Sequence, residues 1–194
     1  MRAEGLGGAV GFSHLFLRQV VRPGDRVIDA TCGRGRDTLF LAELVGSTGE
    51  VWAFDVQEEA LVETAERIRL AGCTPWVKLV HAGHESLSKY VCESVRAVVF
   101  NLGYLPGYRA GVVTHPKTSL AALDQSLPLL LPGGIIVLVV YTGHPGGEEE
   151  AADIEVWARS LPAREFNVWK SRQLNRADSA PYVVLVGKAP LQGK

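Results

Sequence analysis

Four stretches of the chain place polar residues where an apolar run stops. In "VIDATCGRGRDT" the acid Asp29 ends a β-rich run, Thr31, Cys32, Gly33 and Gly35 form a turn, and a helical segment opens with Asp37 and Thr38. Glycines let the backbone pass close to a ligand, and a carboxylate can hold a group carrying positive charge or hydroxyls. In "FDVQ" a second acid, Asp55, falls 22 positions after Gly33, the spacing at which an acid reaches a ribose diol across a parallel-sheet crevice. Asp55 equally suits the capping of the helix that follows. "VVFNLGYLPG" stops on Asn101, with Tyr104 three places on; an Asx turn and a core tyrosine are the plain alternative to a site. "VVYTGHPGG" brings Tyr141 and His144 to the end of a further apolar run. A dinucleotide fingerprint is excluded. Its third glycine, counted from Gly33, would fall at Thr38, and Asp29 would repel a pyrophosphate.

Something must carry these residues to one place, and the order of elements supplies it. A helix is expected over about Ser13 to Val21, within an N-terminal helical segment spanning 1–22, and it stops at "RPGD". Then follow strand "RVIDA", helix "DTLFLAELVG" with Gly46 as C-cap, strand "EVWAFDV", helix "EEALVETAERIRLAG", strand "WVKLVHA", short helix "HESLSKYV" and strand "RAVVFNL". A helix from about Lys117 to Leu131 ends at "PGG", and "IIVLVVY" reads as a central strand buried on both faces. Such β-α alternation implies parallel strands, right-handed crossovers and helices on both faces of the sheet. After the helix "EEEAADIEVWARSL", the runs "EFNVWKSRQLN" and "APYVVLVGK" are separated only by turn-rich residues, which predicts a C-terminal antiparallel hairpin. In doubly wound sheets ligands bind beyond the carboxyl ends of the strands, where all four stretches fall.

Composition sets the outer limits. With 194 residues, 47% hydrophobic and 21% charged, the chain can bury a substantial core as one domain covering 1–194. A formal charge of -1 asks for no nucleic acid globally, although a local basic face would suffice for a small RNA footprint. Cys32, Cys73 and Cys92 form no Cys-x-x-Cys pair, which argues against both a disulfide framework and a metal site and favours a reducing cytoplasm. No targeting segment is read in "MRAEGLGGAVGFSHLFL", and no window approaches the roughly 18 apolar residues of a membrane span.

Taken together, the acids, the glycines and the antiparallel tail resemble a class I S-adenosylmethionine-dependent methyltransferase. Its ligand has a sulfonium, an amino acid tail and a ribose but no phosphate, so acids replace a phosphate cradle. The resemblance implies a Rossmann-like α/β fold with a mostly parallel seven-stranded sheet. It implies that the motif from Asp29 to Gly35, with Asp37 and Thr38 after it, binds the methionine part. Asp55 then takes the ribose, and Gln57, His84 and Glu85 lie near adenine and ribose, although a surface or capping role suits each of these three. Members that methylate exocyclic amines often carry Asn-Pro-Pro-Tyr at the fourth strand, where this chain has Asn101-Leu102-Gly103-Tyr104. An amide oxygen there can orient an amine toward the sulfonium methyl, and a tyrosine ring can stack on a flat base.

More closely, "DATCGRGRDTLFLAELVG", "FDVQ", "HES", "FNLGYLPG", "LLPGGIIVLVVYTGHPGG" and "PYVVLV" resemble, in order and spacing, the MnmM (YtqB) family, formerly labelled rRNA methylases. That resemblance covers about Gly24 to Lys188. It implies methylation of the 5-aminomethyl group of the tRNA wobble uridine, often 2-thiolated, with the anticodon stem-loop as partner. Two departures stand out: Tyr108-Arg109 where the family continues with Gly-Asp, and Gly83 where a serine is common. Asn101 and Tyr104 are then the acceptor-side residues, with Asn101 also beside the cofactor, and Tyr141 and His144 are polar groups facing the same crevice. From Arg159 onward the chain is locally basic, which fits RNA and also ordinary solvated charge. A small-amine or rRNA methyltransferase and a non-catalytic S-adenosylmethionine-binding protein remain the alternatives. The sequence leaves open whether the protein forms a homodimer.

Overall fold

The structure is a computed structural model, and it describes residues 7–103 and 113–190. Seven strands form one sheet in the order β3-β2-β1-β4-β5-β7-β6. They are β1 (Arg26–Asp29), β2 (Glu50–Asp55), β3 (Val77–His81), β4 (Val95–Leu102), β5 (Leu130–Val140), β6 (Phe166–Ser171) and β7 (Tyr182–Lys188). The first five pair in parallel, and β7 runs antiparallel to both β5 and β6. The expected hairpin is present, with its second strand inserted next to β5.

The strands alternate with helices α1 (Ala9–Val20), α2 (Arg36–Val45), α3 (Glu58–Leu70), α4 (Pro116–Leu129) and α5 (Gly147–Ser160). Period-two alternation sends Val27, Val51, Val99, Val137 and Val139 to a core shared with Leu17 and Leu41. Their neighbours Ile28, Phe54, Phe100, Leu138 and Val140 enter a second core with Leu123 and Ile154. Side chains of this size contribute about 1.5–3 kcal/mol each when fully buried, so both faces of β4 and β5 are needed to hold the sheet. Helix α1 lies in the first layer, and α4 and α5 lie in the second.

Three boundaries differ from expectation, and the simplest is that of β6, read to Asn175, which ends at Ser171. Helix α1 begins four residues earlier than the sequence suggests, at Ala9 after Gly8; packing of its apolar face outweighs the helix-weakening glycines. Strand β5 begins at Leu130, so "PGG" lies within it. Pairing passes from Val95↔Leu130 to Ala97↔Ile135 through a register shift. A Cβ at Gly134 would lie 2.8 Å from the Arg96 carbonyl oxygen. A segment that reads as a turn is therefore a bulge.

Gly35 opens α2 with φ +70, and a Cβ there would fall 2.7 Å from Cγ2 of Thr64 on α3. Both the left-handed backbone and the close helix approach require glycine. Gly35→Ala is expected to destabilise the fold by about 2 kcal/mol or more, read as a lower denaturation midpoint in urea.

Candidate active site

The turn after β1 is tied to three elements at once. Its Gly33 N–H donates to Asp55 Oδ2 at 2.8 Å, and its carbonyl accepts the Thr64 hydroxyl at 2.8 Å. Asp55 Oδ1 also accepts the Gln57 N–H at 2.9 Å. The carboxylate thus joins the ends of β1 and β2 and keeps unused lone pairs at the crevice. Thr31 uses its hydroxyl oxygen to accept the Asn101 N–H at 2.7 Å.

A cavity of about 390 Å³ opens beyond these strand ends. Asp55, Gln57, His84 and Glu85 lie along it, as do Thr31, Gly33 and Asn101, and Thr114, His115 and Thr118 also contribute to its lining. Among the described residues no Lys or Arg lines it. Gln57 Oε1, His84 Nε2 and Asn101 Oδ1 are buried there without a hydrogen-bond partner among the described residues. Burial pulls the His84 pKa down, against the hydrogen bond to the Ala30 backbone and the nearby carboxylates. A neutral ring that donates to that backbone leaves Nε2 as a bare acceptor. The wall is therefore rich in acceptors awaiting donors, which suits ribose hydroxyls, an adenine amine and a cationic centre and opposes a phosphate. These residues fit S-adenosylmethionine.

Other residues singled out in the sequence sit behind the cavity. Asp29 is fully buried, accepts the Thr38 hydroxyl at 2.6 Å and the Thr31 N–H at 3.2 Å, and does not line the cavity. Cys32 packs with Ala53 and Leu61; burial pushes its thiol pKa up, which leaves it without nucleophilic character. Gly35 serves the contact with Thr64, as described above. Asp37 receives hydrogen bonds from the Asn101 Nδ2 and lies 2.7 Å from His14 Nε2. His14 was not legible as a site residue, since only the tertiary fold brings it to Asp37. The Glu85 carboxylate folds back over Gly83, where a Cβ would meet Oε2 at 2.2 Å. Serine at that position would displace it, so glycine there and this Glu85 conformation belong together.

Tyr141 and His144 come to the end of β4 as well. A Cβ on Gly103 would lie 3.2 Å from Tyr141 Cβ and 3.6 Å from His144 Nε2. Burial first, and the Asp37 charge second, raise the Tyr141 phenol above its ordinary pKa and keep it protonated. In "GHPGG", Gly147 has no room for a side chain: a Cβ would lie 2.8 Å from the Tyr141 carbonyl oxygen. Nearby, Glu150 is buried and accepts the hydroxyls of Thr114 at 2.6 Å and Ser119 at 2.5 Å. Tyr104 and the Tyr108-Arg109 pair lie outside the described residues.

Residues 51–187 match the family described as "Putative rRNA methylase". The chain belongs to this rRNA methylase family. It is 40% identical over 190 residues to the tRNA (mnm(5)s(2)U34)-methyltransferase, chloroplastic, of Arabidopsis thaliana, covering 93% of this chain and 69% of that protein. A crystal structure of a "putative rRNA-methylase" from Clostridium thermocellum superposes with a TM-score of 0.91 at 37% identity, over 94% of this chain and 98% of that one. A "putative methyltransferase" from Streptococcus mutans in complex with SAH superposes with a TM-score of 0.86 at 38% identity, over the same shares of each chain. This member of the rRNA methylase family therefore has the class I methyltransferase fold and is an S-adenosylmethionine-dependent methyltransferase. Among its described residues no helix is long and apolar enough to cross a membrane.

Asp29 gives the site a measurable signature. Burial, and then the Asp37 charge, push its carboxyl from 3.8 up to about 7. Between these values the folded protein keeps a proton that the unfolded chain has released. Stability from this group is thus greatest at low pH and is lost as pH rises toward about 7. Asp29→Asn cannot ionise and still offers an oxygen to its neighbours. Its melting temperature is expected to fall less than the parent's between about pH 5 and about pH 8; parallel pH profiles in calorimetry would reject the assignment.

Proposed function

We propose that the protein methylates the 5-aminomethyl nitrogen of the wobble uridine of tRNA, converting 5-aminomethyl(-2-thio)uridine to its 5-methylaminomethyl form. The observation that carries this reading is Asn101: it stands one residue before the end of β4 at the cavity and holds a buried Oδ1 that no described residue satisfies. An amine offers the N–H that such an oxygen needs. The similarity to the Arabidopsis tRNA (mnm(5)s(2)U34)-methyltransferase supports the choice of acceptor.

Bound S-adenosylmethionine supplies a methyl group on a sulfonium, open to attack by a nitrogen lone pair. A neutral aminomethyl nitrogen is already a strong nucleophile, so the protein chiefly has to align it, exclude water and receive one proton. Asn101 Oδ1 accepts one N–H and leaves the lone pair directed at the methyl. Tyr141 and His144 stand at the neighbouring strand end as polar groups for the acceptor side, and Tyr104 is assigned to stack on the base. An unpaired anticodon base can swing into such a crevice without the unpairing cost that a base held in a duplex has to meet.

The basic C-terminal segment supports only a small RNA footprint. Lys170 and Arg159 pair with Glu155, Arg172 pairs with Asp178, and Lys188 donates to the Leu127 and Leu130 carbonyls. Arg164 and Arg176 are exposed cations of the same segment. A free tRNA substrate fits action in the cytoplasm.

Nucleoside mass spectrometry after incubation with undermodified tRNA is expected to show one methyl gained on the wobble nucleoside. A cofactor-binding protein that leaves this nucleoside unchanged yet methylates small amines or rRNA would overturn the substrate. Asn101→Ala is expected to lower kcat far more than it alters cofactor affinity. Asp55→Asn keeps one backbone acceptor but loses charge-assisted bonds of about 1.5–3 kcal/mol, so calorimetry should show cofactor binding weakened about tenfold or more.

A further inference from the structure

A carboxamide has two ends of opposite character and nearly identical shape, so its use as an acceptor depends on which end is turned to the substrate. If the NH2 of Asn101 faced the amine, it would donate to the lone pair that must attack the methyl. The side chain therefore needs a reason to point the other way. Asp37 provides one. Asn101 Nδ2 donates to Asp37 Oδ2, while Asp37 Oδ1 lies 2.7 Å from His14 Nε2. An ionised carboxylate can only accept, so it selects the NH2 end and turns Oδ1 away from itself. That oxygen is the buried one without a partner among the described residues.

His14 is held in turn. It stands on α1, outside the β-α-β units around the cofactor cavity, with its ring stacked on Phe40 of α2 at 3.7 Å between centroids and 5° between planes. The Arg18 guanidinium lies 4.8 Å from the centre of the same Phe40 ring. Side-chain exposures of 18% for His14 and 11% for Asp37 show a pair largely removed from solvent. Desolvating such a pair is costly unless its geometry serves further bonds. Here the carboxylate serves two, one from each side.

We propose that Asp37 and His14 are positioning residues for methyl transfer, fixing the Asn101 amide with its oxygen toward the acceptor so that the site takes a nucleophile bearing an N–H. This rests on the amine reading above and adds the source of its selectivity. Asp37 would then act on the acceptor side rather than as a cofactor ligand, and α1 would be part of the site.

The test compares Asp37→Ala, Asp37→Asn and His14→Phe for kcat and KM with undermodified tRNA, for cofactor affinity by calorimetry and for melting temperature. Side-chain amide NMR of the 15N-labelled protein complements this, with the Asn101 NH2 signals assigned by their loss in Asn101→Ala. Asp37→Ala should lower kcat about 10²-fold, the scale of a misplaced reacting group, and leave cofactor affinity within about twofold. Asp37→Asn keeps an oxygen for the Asn101 NH2 and should recover kcat to within about tenfold of the parent. His14→Phe keeps the ring stack and should lower kcat about threefold to tenfold, the worth of one hydrogen bond. In the parent, one Asn101 NH2 proton should resonate downfield, and it should return to the ordinary amide range in Asp37→Ala. Unchanged kcat in Asp37→Ala overturns the proposal, as do equal losses of kcat and cofactor affinity without rescue by Asn. Should Asp37→Ala fail to fold, an ordinary Asn101 NH2 signal in the parent, or unchanged kcat in His14→Phe, overturns it. A parent protein that methylates no tRNA sinks the substrate reading instead, and the NMR comparison still decides the orientation of the amide.

Discussion

The pairing of the turn between β1 and α2 is the constraint on which the site depends. Buried backbone groups that lose water must find partners within the protein. Cys32 N–H donates to the Phe54 carbonyl, Gly33 N–H to Asp55, and the Gly33 carbonyl receives Thr64. Thr31 adds the end of β4 through the Asn101 N–H. One short turn therefore sets the spacing between Asp55 and the Asn101 amide across the cavity. Alignment for methyl transfer is inherited from backbone hydrogen bonding, not from long flexible side chains.

Three acids behind or beside the crevice are removed from water in three different ways. Asp29 is fully buried with two hydrogen bonds and a raised pKa, so a proton answers the cost of burial. Asp37 is answered by His14 and Asn101. Glu150 is answered by two hydroxyls, which tie the start of α5 to Thr114 and to α4. Each solution leaves a different local field. The negative charge of Asp37 bears on Tyr141.

Much of this was legible in the sequence because the signals are local. Alternating apolar runs, Gly46 as a helix stop and the short link between the last two strands gave the order of elements and the antiparallel tail. Asp55, Gln57, His84 and Asn101 were legible as lining of the strand-end cavity because each stands at or just past the carboxyl end of a strand in a doubly wound sheet. The interior position of Asp29 was not, since an acid at a strand end has the same local pattern whether it faces a ligand or the core. The bulge at "PGG" was hidden because proline and glycine mark turns and bulges alike. His14 stands 23 residues from Asp37 with no periodic relation to it, and only docking of α1 brings them together.

The insertion of β7 between β5 and β6 has a consequence for synthesis on the ribosome. Strand β5 is apolar on both faces, and among the described residues its outer edge from Ile135 to Val140 pairs with Gly187 to Tyr182. Until β7 emerges, that edge stays open. An open hydrophobic strand edge is a template for pairing with other chains. The nascent protein thus carries an open apolar strand edge from the completion of β5 until β7 has emerged, and β7 acts as the stopper that closes that edge.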